Sequence, residues 1–151
     1  NQDLCQNNTA RMFVTLYLGR LDPAAGAVVF ANAGHPSALR VAAGETVPIS
    51  TTAPDLPLGI RAGVAFAEHA FTLTAGETLV LFTDGITEAL NDNGEAFGRF
   101  RLTGVLDQHR CADPATLVGA VEATLADFVA GTEPYDDMTL LAFCWDPGAV
   151  A

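Results

Sequence analysis

Basic residues are scarce in this sequence. Seven lysines and arginines stand against 18 aspartates and glutamates, which gives a formal net charge of −11 over 151 residues. Nucleic acids and anionic membrane surfaces are bound through basic surface, so this balance argues against both as partners. Most of the excess carboxylate must lie on solvated surface. The excess is also compatible with binding of divalent cations.

Cysteine and long apolar runs are equally scarce. The three cysteines, Cys5, Cys111 and Cys144, are odd in number and show no CxxC spacing. The sequence therefore predicts neither a disulfide framework nor a zinc site. This use of cysteine fits a protein of a reducing compartment, the cytoplasm. Cys144 lies in an apolar run and is expected to be a small core residue. No apolar run approaches the ~18 residues of a membrane span, and no signal peptide opens the chain.

Common catalytic loops are also missing. The sequence contains no GxSxG nucleophile elbow, no Walker phosphate loop and no GxGxxG dinucleotide loop. The sequence therefore gives no support for a hydrolase with a nucleophile elbow, a nucleotide phosphatase with a Walker loop or a dinucleotide-binding protein with a GxGxxG loop.

Strand-forming segments joined by short turns dominate the first half. A hairpin is predicted from 12–22 and 27–35 around the turn "DPAAG", and 36–44 is a plausible third strand. A weakly alternating segment follows at 63–77. "TLVLFTDG" is then a fully apolar strand, and "DMTLLAFCW" is a last strand that we expect to be largely buried. Short connections favour antiparallel sheets.

Helical signals concentrate in the second half. Segment 113–131 opens with Asp113 as N-cap and Pro114 at the first helical position, carries apolar residues at helical spacing, and ends at Gly131. Segment 97–110 is a second, less regular candidate. Strands followed by helices predict an α+β fold built of layers.

Acidic residues follow one apolar strand and precede another. Asp84 closes "TLVLF", where it can cap the following helix or face a cation. Asp136 and Asp137 open the last strand. If these two strands are antiparallel neighbours, Asp84 and Asp136 meet at one end of the sheet. Paired carboxylates repel unless protonated or bridged by a cation, and hard ions such as Mg²⁺ and Mn²⁺ prefer oxygen ligands.

Several stretches together resemble one protein family. They cover about 12–143 and read "MFVTLYLGRLD", "FANAGHPSALR", "LPLGI", "LVLFTDGITEALNDNGEAFG" and "YDDMTLLAF". In order and spacing these stretches are similar to the SpoIIE/RsbU-like bacterial serine phosphatases of the metal-dependent (PPM) protein phosphatase superfamily. The resemblance implies an α-β-β-α sandwich of antiparallel sheets flanked by helices. It also implies a binuclear Mn²⁺ or Mg²⁺ centre that activates water to attack phosphorus in line.

The resemblance also implies roles for individual residues. Asp84 and Asp136 occupy the positions of metal-ligating carboxylates, and Gly85 and Asp137 lie beside them as supporting residues. His35 either lines the site, where imidazole can ligate Mn²⁺ or contact phosphate, or simply belongs to a tight Gly-His-Pro turn. The family's substrates are phosphoserine-bearing STAS-domain regulators, the anti-sigma-factor antagonists of partner-switching pathways.

One family motif is missing. An Asp-x-Ser-Gly-His-Gly-like stretch, which supplies a bridging aspartate, precedes the "MFVTL" strand in relatives, and this sequence has none. The sequence also has no initiator methionine. We therefore expect 1–151 to be a single but partial phosphatase domain with an upstream sensor or regulatory domain in the same polypeptide. Such a fragment should be nearly inactive by itself.

Two further expectations follow from an incomplete domain. The alternative to an enzyme is a truncated or degenerate phosphatase fold that binds a STAS-type regulator without hydrolysing it. Exposed sheet edges would also let the chain pair with a second copy as a homodimer.

Overall fold

The structure, a computed structural model, describes residues 1–6, 8–51, 56–131 and 136–150. It divides the chain into two units. The first comprises Asn1–Ser37, Ser50–Thr74 and the closing segment from Pro147, and the second comprises Ala38–Ile49 and Ala75–Asp146. That both belong to a single phosphatase domain stays a prediction.

The described residues form strands and helices in the following order. The strands are β1 (Leu16–Asp22), β2 (Ala27–Ala33), β3 (Leu39–Val41), β4 (Thr46–Pro48), β5 (His69–Thr72), β6 (Thr78–Phe82) and β7 (Leu140–Cys144). The helices are α1 (Gln2–Gln6), α2 (Asp84–Thr87), α3 (Gly98–Gln108) and α4 (Pro114–Phe128), and Pro147–Val150 forms a 3-10 turn. No helix among these is long and apolar enough to cross a membrane.

The first unit is built on the predicted hairpin. Strands β1 and β2 pair antiparallel from Leu16 opposite Ala33 to Asp22 opposite Ala27, and β5 adds to the other edge of β2. Alternation along β2 buries Val28, Phe30 and Asn32 on one face of the sheet. The hairpin prediction is confirmed.

The second unit contains a four-stranded antiparallel sheet in the order β4-β3-β6-β7. Its inner strand β6 is almost entirely buried, as its apolar sequence predicts. Helices α3 and α4 cover this sheet, and their apolar side chains join those of β3 and β6 in one core. Fully buried members of that core include Leu39, Val80, Phe97, Leu102, Leu106 and Leu117. The antiparallel sheets and flanking helices confirm the predicted α+β class.

Three expectations about strands are corrected. Strand β7 is not largely buried: it is an edge strand, none of its residues is fully buried, and Leu141 is 55% exposed. Cys144 is exposed rather than a core residue, because it ends that edge strand. Of the third predicted strand, 36–44, only the three residues of β3 form a strand. The sequence did not predict β4, a three-residue edge strand that ends at Pro48.

Helix α4 begins as the sequence predicts. The Asp113 carboxylate accepts hydrogen bonds from the backbone N–H groups of Ala115 (3.0 Å) and Thr116 (3.1 Å) and from the Thr116 hydroxyl (2.6 Å). These bonds, led by the Thr116 hydroxyl, lower the pKa of Asp113, because they favour the charged form. Helix α4 ends at Phe128, three residues before the predicted Gly131.

Replacing Asp113 by alanine should lower the melting temperature by a few degrees at pH 7, since an N-cap is lost. A carboxyl with a lowered folded-state pKa stabilises the protein above its unfolded pKa, and that contribution disappears as the pH falls through the folded pKa. The difference in melting temperature between wild type and Asp113→Ala should therefore become smaller below about pH 4. Thermal melts across pH test this, with Asp113→Asn, which keeps the cap, as the control. A difference in melting temperature that does not change with pH would contradict the assignment of Asp113 as a charged N-cap.

Candidate metal centre

Pairing of β6 with β7 brings the two acidic segments together, as predicted. The two strands are antiparallel neighbours, with Phe82 opposite Leu140. The ladder continues one step beyond the strands, because the Thr83 N–H donates to the Thr139 carbonyl oxygen at 3.0 Å. Asp84 therefore follows β6 at the same sheet end from which Asp136 and Asp137 lead into β7.

Thr83 links the two segments through its side chain. Its hydroxyl donates to the carbonyl oxygen of Asp137 at 3.0 Å and accepts from the N–H of Thr139 at 2.9 Å. These bonds fix the backbone of the acidic loop against the end of β6. Sequence reasoning did not single out Thr83, although it immediately precedes Asp84.

Gly85 packs directly against the backbone of the acidic loop. A Cβ placed on Gly85 would lie 2.6 Å from the carbonyl oxygen of Asp137 and 3.5 Å from the carbonyl carbon of Asp136. Real Cβ atoms do not come so close to backbone atoms. Glycine is thus required for close approach of the two segments, and its φ is not positive.

The Asp84 side chain does not cap the following helix. Asp84 is the first residue of α2, and the N-cap is Thr83, whose side chain makes no capping bond. The Asp84 side chain is exposed. Within the described part of the chain its carboxylate accepts no hydrogen bond and pairs with no cation. The capping alternative is therefore wrong, and the carboxylate is free to bind a ligand.

Asp136 and Asp137 add two more carboxylates at the same place. Both residues are exposed, and the Asp137 N–H donates to an Asp136 carboxylate oxygen at 2.8 Å. That bond orients the Asp136 carboxylate and leaves its second oxygen available. The result is an acidic edge whose carboxylates form no ion pair among the residues described.

This donor set fits a hard divalent cation only in part. Carboxylate oxygens are the ligands that Mg²⁺ and Mn²⁺ prefer. However, the described residues contain no cluster of three or more His, Cys, Asp or Glu side chains that could hold a metal ion. The chain therefore offers carboxylates from two adjoining loops but does not complete a metal site within its described residues.

His35 sits in the predicted turn of the first unit. Its N–H donates to the Asn32 side-chain oxygen at 2.8 Å, its carbonyl oxygen accepts from the Asn32 amide at 2.9 Å, and Gly34 has φ +72°. Its ring nitrogen Nδ1 lies 3.3 Å from the Thr15 hydroxyl. These bonds tie His35 back to Asn32, while both the tight Gly-His-Pro turn and a role for His35 beside the carboxylates stay predictions.

Comparison with known proteins identifies the family. The family profile described as stage II sporulation protein E (SpoIIE) matches residues 1–146. The chain belongs to the SpoIIE family. It is similar to the phosphoserine phosphatase RsbU of Bacillus subtilis (strain 168), with 26% identity over 141 residues that cover 93% of this chain and 42% of that protein. The resemblance to SpoIIE/RsbU-like serine phosphatases of the PPM superfamily is thereby confirmed.

Solved structures show the same fold as this SpoIIE-family chain. The RsbU and RsbW domains of Rv1364c from Mycobacterium tuberculosis match with TM-score 0.73 and 24% identity, over 97% of this chain and 40% of that one. The manganese-presoaked phosphatase domain of SpoIIE from Bacillus subtilis matches with TM-score 0.68 and 17% identity, over 87% of this chain and 56% of that one. The chain spans less than half the length of the curated relatives it matches.

Proposed function

We propose that this chain is part of a metal-dependent protein serine/threonine phosphatase that hydrolyses phosphoserine on a STAS-type anti-sigma-factor antagonist. The observation that carries the proposal is the contact of Thr83 and Gly85, on either side of Asp84, with the Asp136–Asp137 backbone. Membership of the SpoIIE family and similarity to the phosphoserine phosphatase RsbU support the same reaction class.

Asp84 and Asp136 would bind Mn²⁺ or Mg²⁺, with Asp137 and Gly85 supporting them. Further carboxylates of the natural full-length protein would complete the ligand set. When bound, the metal pair supplies an activated water nucleophile and neutralises charge on the phosphoryl oxygens.

The chain's own residues would hold the carboxylates in place. Thr83 fixes the loop backbone through hydrogen bonds at both its N–H and its hydroxyl. Gly85 permits the close approach of the two loops. Because these contacts hold the backbone of both loops, the backbone positions of Asp84 and Asp136 would be set before a metal binds, which reduces the cost of ordering them.

The proposal extends to partners and location. The phosphorylated STAS-domain protein would be the substrate, and an upstream sensor or regulatory domain of the same polypeptide would control turnover in the cytoplasm. Pairing of two copies through exposed sheet edges would give a homodimer. The competing function is a regulator-binding module without hydrolysis. It is favoured by the lack of a three-ligand metal cluster in the described ranges.

The test compares the 151-residue chain with the natural full-length protein. With Mn²⁺ and a serine-phosphorylated STAS-domain protein, release of inorganic phosphate should be rapid for the full-length protein and negligible for the 151-residue chain. Chelation with EDTA should abolish the activity, and added Mn²⁺ should restore it.

Two results would contradict parts of the proposal. Clear activity of the 151-residue chain by itself would contradict the incomplete metal site, because Asp84 and Asp136 would then need no further ligands. Binding of the phosphorylated STAS protein to the full-length protein without phosphate release would favour the regulator-binding module.

A further inference from the structure

Helix α3 opens with a large apolar side chain that faces solvent. Phe100 is 90% exposed, the highest exposed fraction of any large apolar side chain in the part of the chain that the structure describes. Leu90, just ahead of the helix, is 46% exposed and forms a short β-bridge with the exposed Ala96. Single exposed apolar residues are ordinary on protein surfaces, so Phe100 acquires meaning only from its surroundings.

The backbone that carries Phe100 is firmly held. The preceding Phe97 is fully buried, its N–H donates to the Ala89 carbonyl oxygen at 2.8 Å, and its ring packs edge-on against Phe128 at 5.3 Å. Arg101 donates to the carbonyl oxygens of Ala96 and Phe97, with its guanidinium 4.8 Å from the Phe128 ring centre. Phe100 is therefore presented by a rigid element, which lowers the entropy lost on binding.

Arg99 places an available cation beside Phe100. Its guanidinium carbon lies 5.7 Å from the centre of the Phe82 ring, which holds it by a cation–π contact. Both arginines are exposed, but Arg101 pairs with Glu95 at 4.0 Å, whereas Arg99 has no carboxylate partner within the described residues. Phe82 is the last residue of β6, two residues before Asp84. Arg99 thus borders the end of the sheet that carries the candidate metal ligands, and Phe100 is the next residue of α3.

The charge of the chain indicates what this surface would bind. The chain has net charge −11, and all seven of its basic residues are arginines. A free arginine next to an exposed aromatic ring is complementary to a protein segment that carries an apolar side chain beside an acidic one. A second copy of this chain would instead pair at the exposed sheet edges, which present unpaired backbone groups, whereas Arg99 and Phe100 lie on helix α3.

We propose that Arg99 and Phe100 form a docking surface for the phosphoprotein substrate. Phe100 accepts an apolar side chain of the substrate, and Arg99 pairs with a carboxylate next to it. The phosphoserine then reaches the Asp84 edge. This inference rests on the proposed phosphatase function and adds a recognition surface outside the metal ligands.

The test separates docking from chemistry by using two substrates. In the full-length protein with Mn²⁺, Arg99→Ala and Phe100→Ala should each raise KM for a serine-phosphorylated STAS-domain protein about tenfold, as binding hot spots do. Hydrolysis of p-nitrophenyl phosphate, which is too small to touch the surface, should be unchanged. Matched controls are Arg110→Ala, just beyond the other end of α3, and Leu141→Ala, which is 55% exposed on β7.

Each other outcome overturns the docking surface. Equal losses on both substrates would assign Arg99 and Phe100 to the site or its stability, and no loss on the phosphoprotein would leave the surface without a function. A change in oligomeric state by analytical ultracentrifugation, with KM unchanged, would assign it to self-association. If the wild type hydrolyses neither substrate, the proposed function fails by itself. Docking is then decided by equilibrium binding of the phosphorylated STAS protein, which Phe100→Ala must weaken.

Discussion

Replacing Asp84 by asparagine should reduce phosphoserine hydrolysis by the natural full-length protein about a thousandfold, because metal stabilisation of the transition state contributes several kcal/mol. The substitution keeps the size of the side chain and removes its negative charge. Asp84 is exposed and its carboxylate accepts no hydrogen bond from the described residues, so the fold should be unaffected. Initial rates of phosphate release in Mn²⁺ measure the effect.

The control is Asp127→Asn, which removes an exposed carboxylate from α4 in the same unit and should retain full activity. An Asp84→Asn variant with wild-type rates would show that the carboxylate at the end of β6 has no part in catalysis. A loss shared by Asp127→Asn would point to the overall charge of the chain and away from a metal ligand.

Gly85→Ala should lower the free energy of unfolding by about 1–3 kcal/mol, the usual cost of forcing extra volume into a packed site. The added Cβ would lie 2.6 Å from the Asp137 carbonyl oxygen, so the acidic loop must move away from α2. We expect a large loss of activity in the full-length protein as well, because Asp84 and Asp136 separate. Denaturant unfolding and phosphate release measure the two effects.

Gly119→Ala is the matched control for Gly85→Ala. Gly119 lies inside α4, and a Cβ placed there meets no atom within 4 Å. Alanine should therefore stabilise the chain by about 0.5–1 kcal/mol, since glycine is unfavourable within a helix. If Gly85→Ala is as stable and as active as Gly119→Ala, the close contact of the two loops is not a feature of the protein.

Local sequence signals predicted the elements whose stability is local. The turn between β1 and β2, the Asp113–Pro114 start of α4 and the apolar β6 each carry a pattern that specifies one structure. Pairing of β6 with β7 followed from asking where two carboxylates would meet, and the observed register bears it out.

Features that depend on tertiary neighbours were not predictable. Strand β7 has the apolar sequence of a buried strand, yet it lies at a sheet edge, which leaves Leu141 and Cys144 exposed. Strand β4 is three residues long, and the Asp107 carboxylate of α3 accepts the Thr46 N–H at 2.8 Å. A contact between two residues that are 61 positions apart leaves no periodic pattern in the sequence.

The same limit applied to the candidate site. Asp84, Gly85, Asp136 and Asp137 could be found from their places at strand ends and from the family resemblance. The Thr83 hydroxyl donates to the Asp137 carbonyl oxygen of the opposite loop, and the Arg99 guanidinium of α3 lies over the ring of Phe82 in β6. Both contacts join segments distant in sequence, so only the fold reveals them.

The most direct test of the account is Mn²⁺ binding by the natural full-length protein and its Asp84→Asn and Asp136→Asn variants, followed by isothermal titration calorimetry. If both carboxylates are ligands, each substitution should weaken Mn²⁺ binding by more than about 100-fold, the upper range for losing a group that merely supports a ligand. Asp127→Asn should bind as wild type does. Unchanged Mn²⁺ affinity and stoichiometry in both variants would contradict a metal centre at the end of β6 and β7.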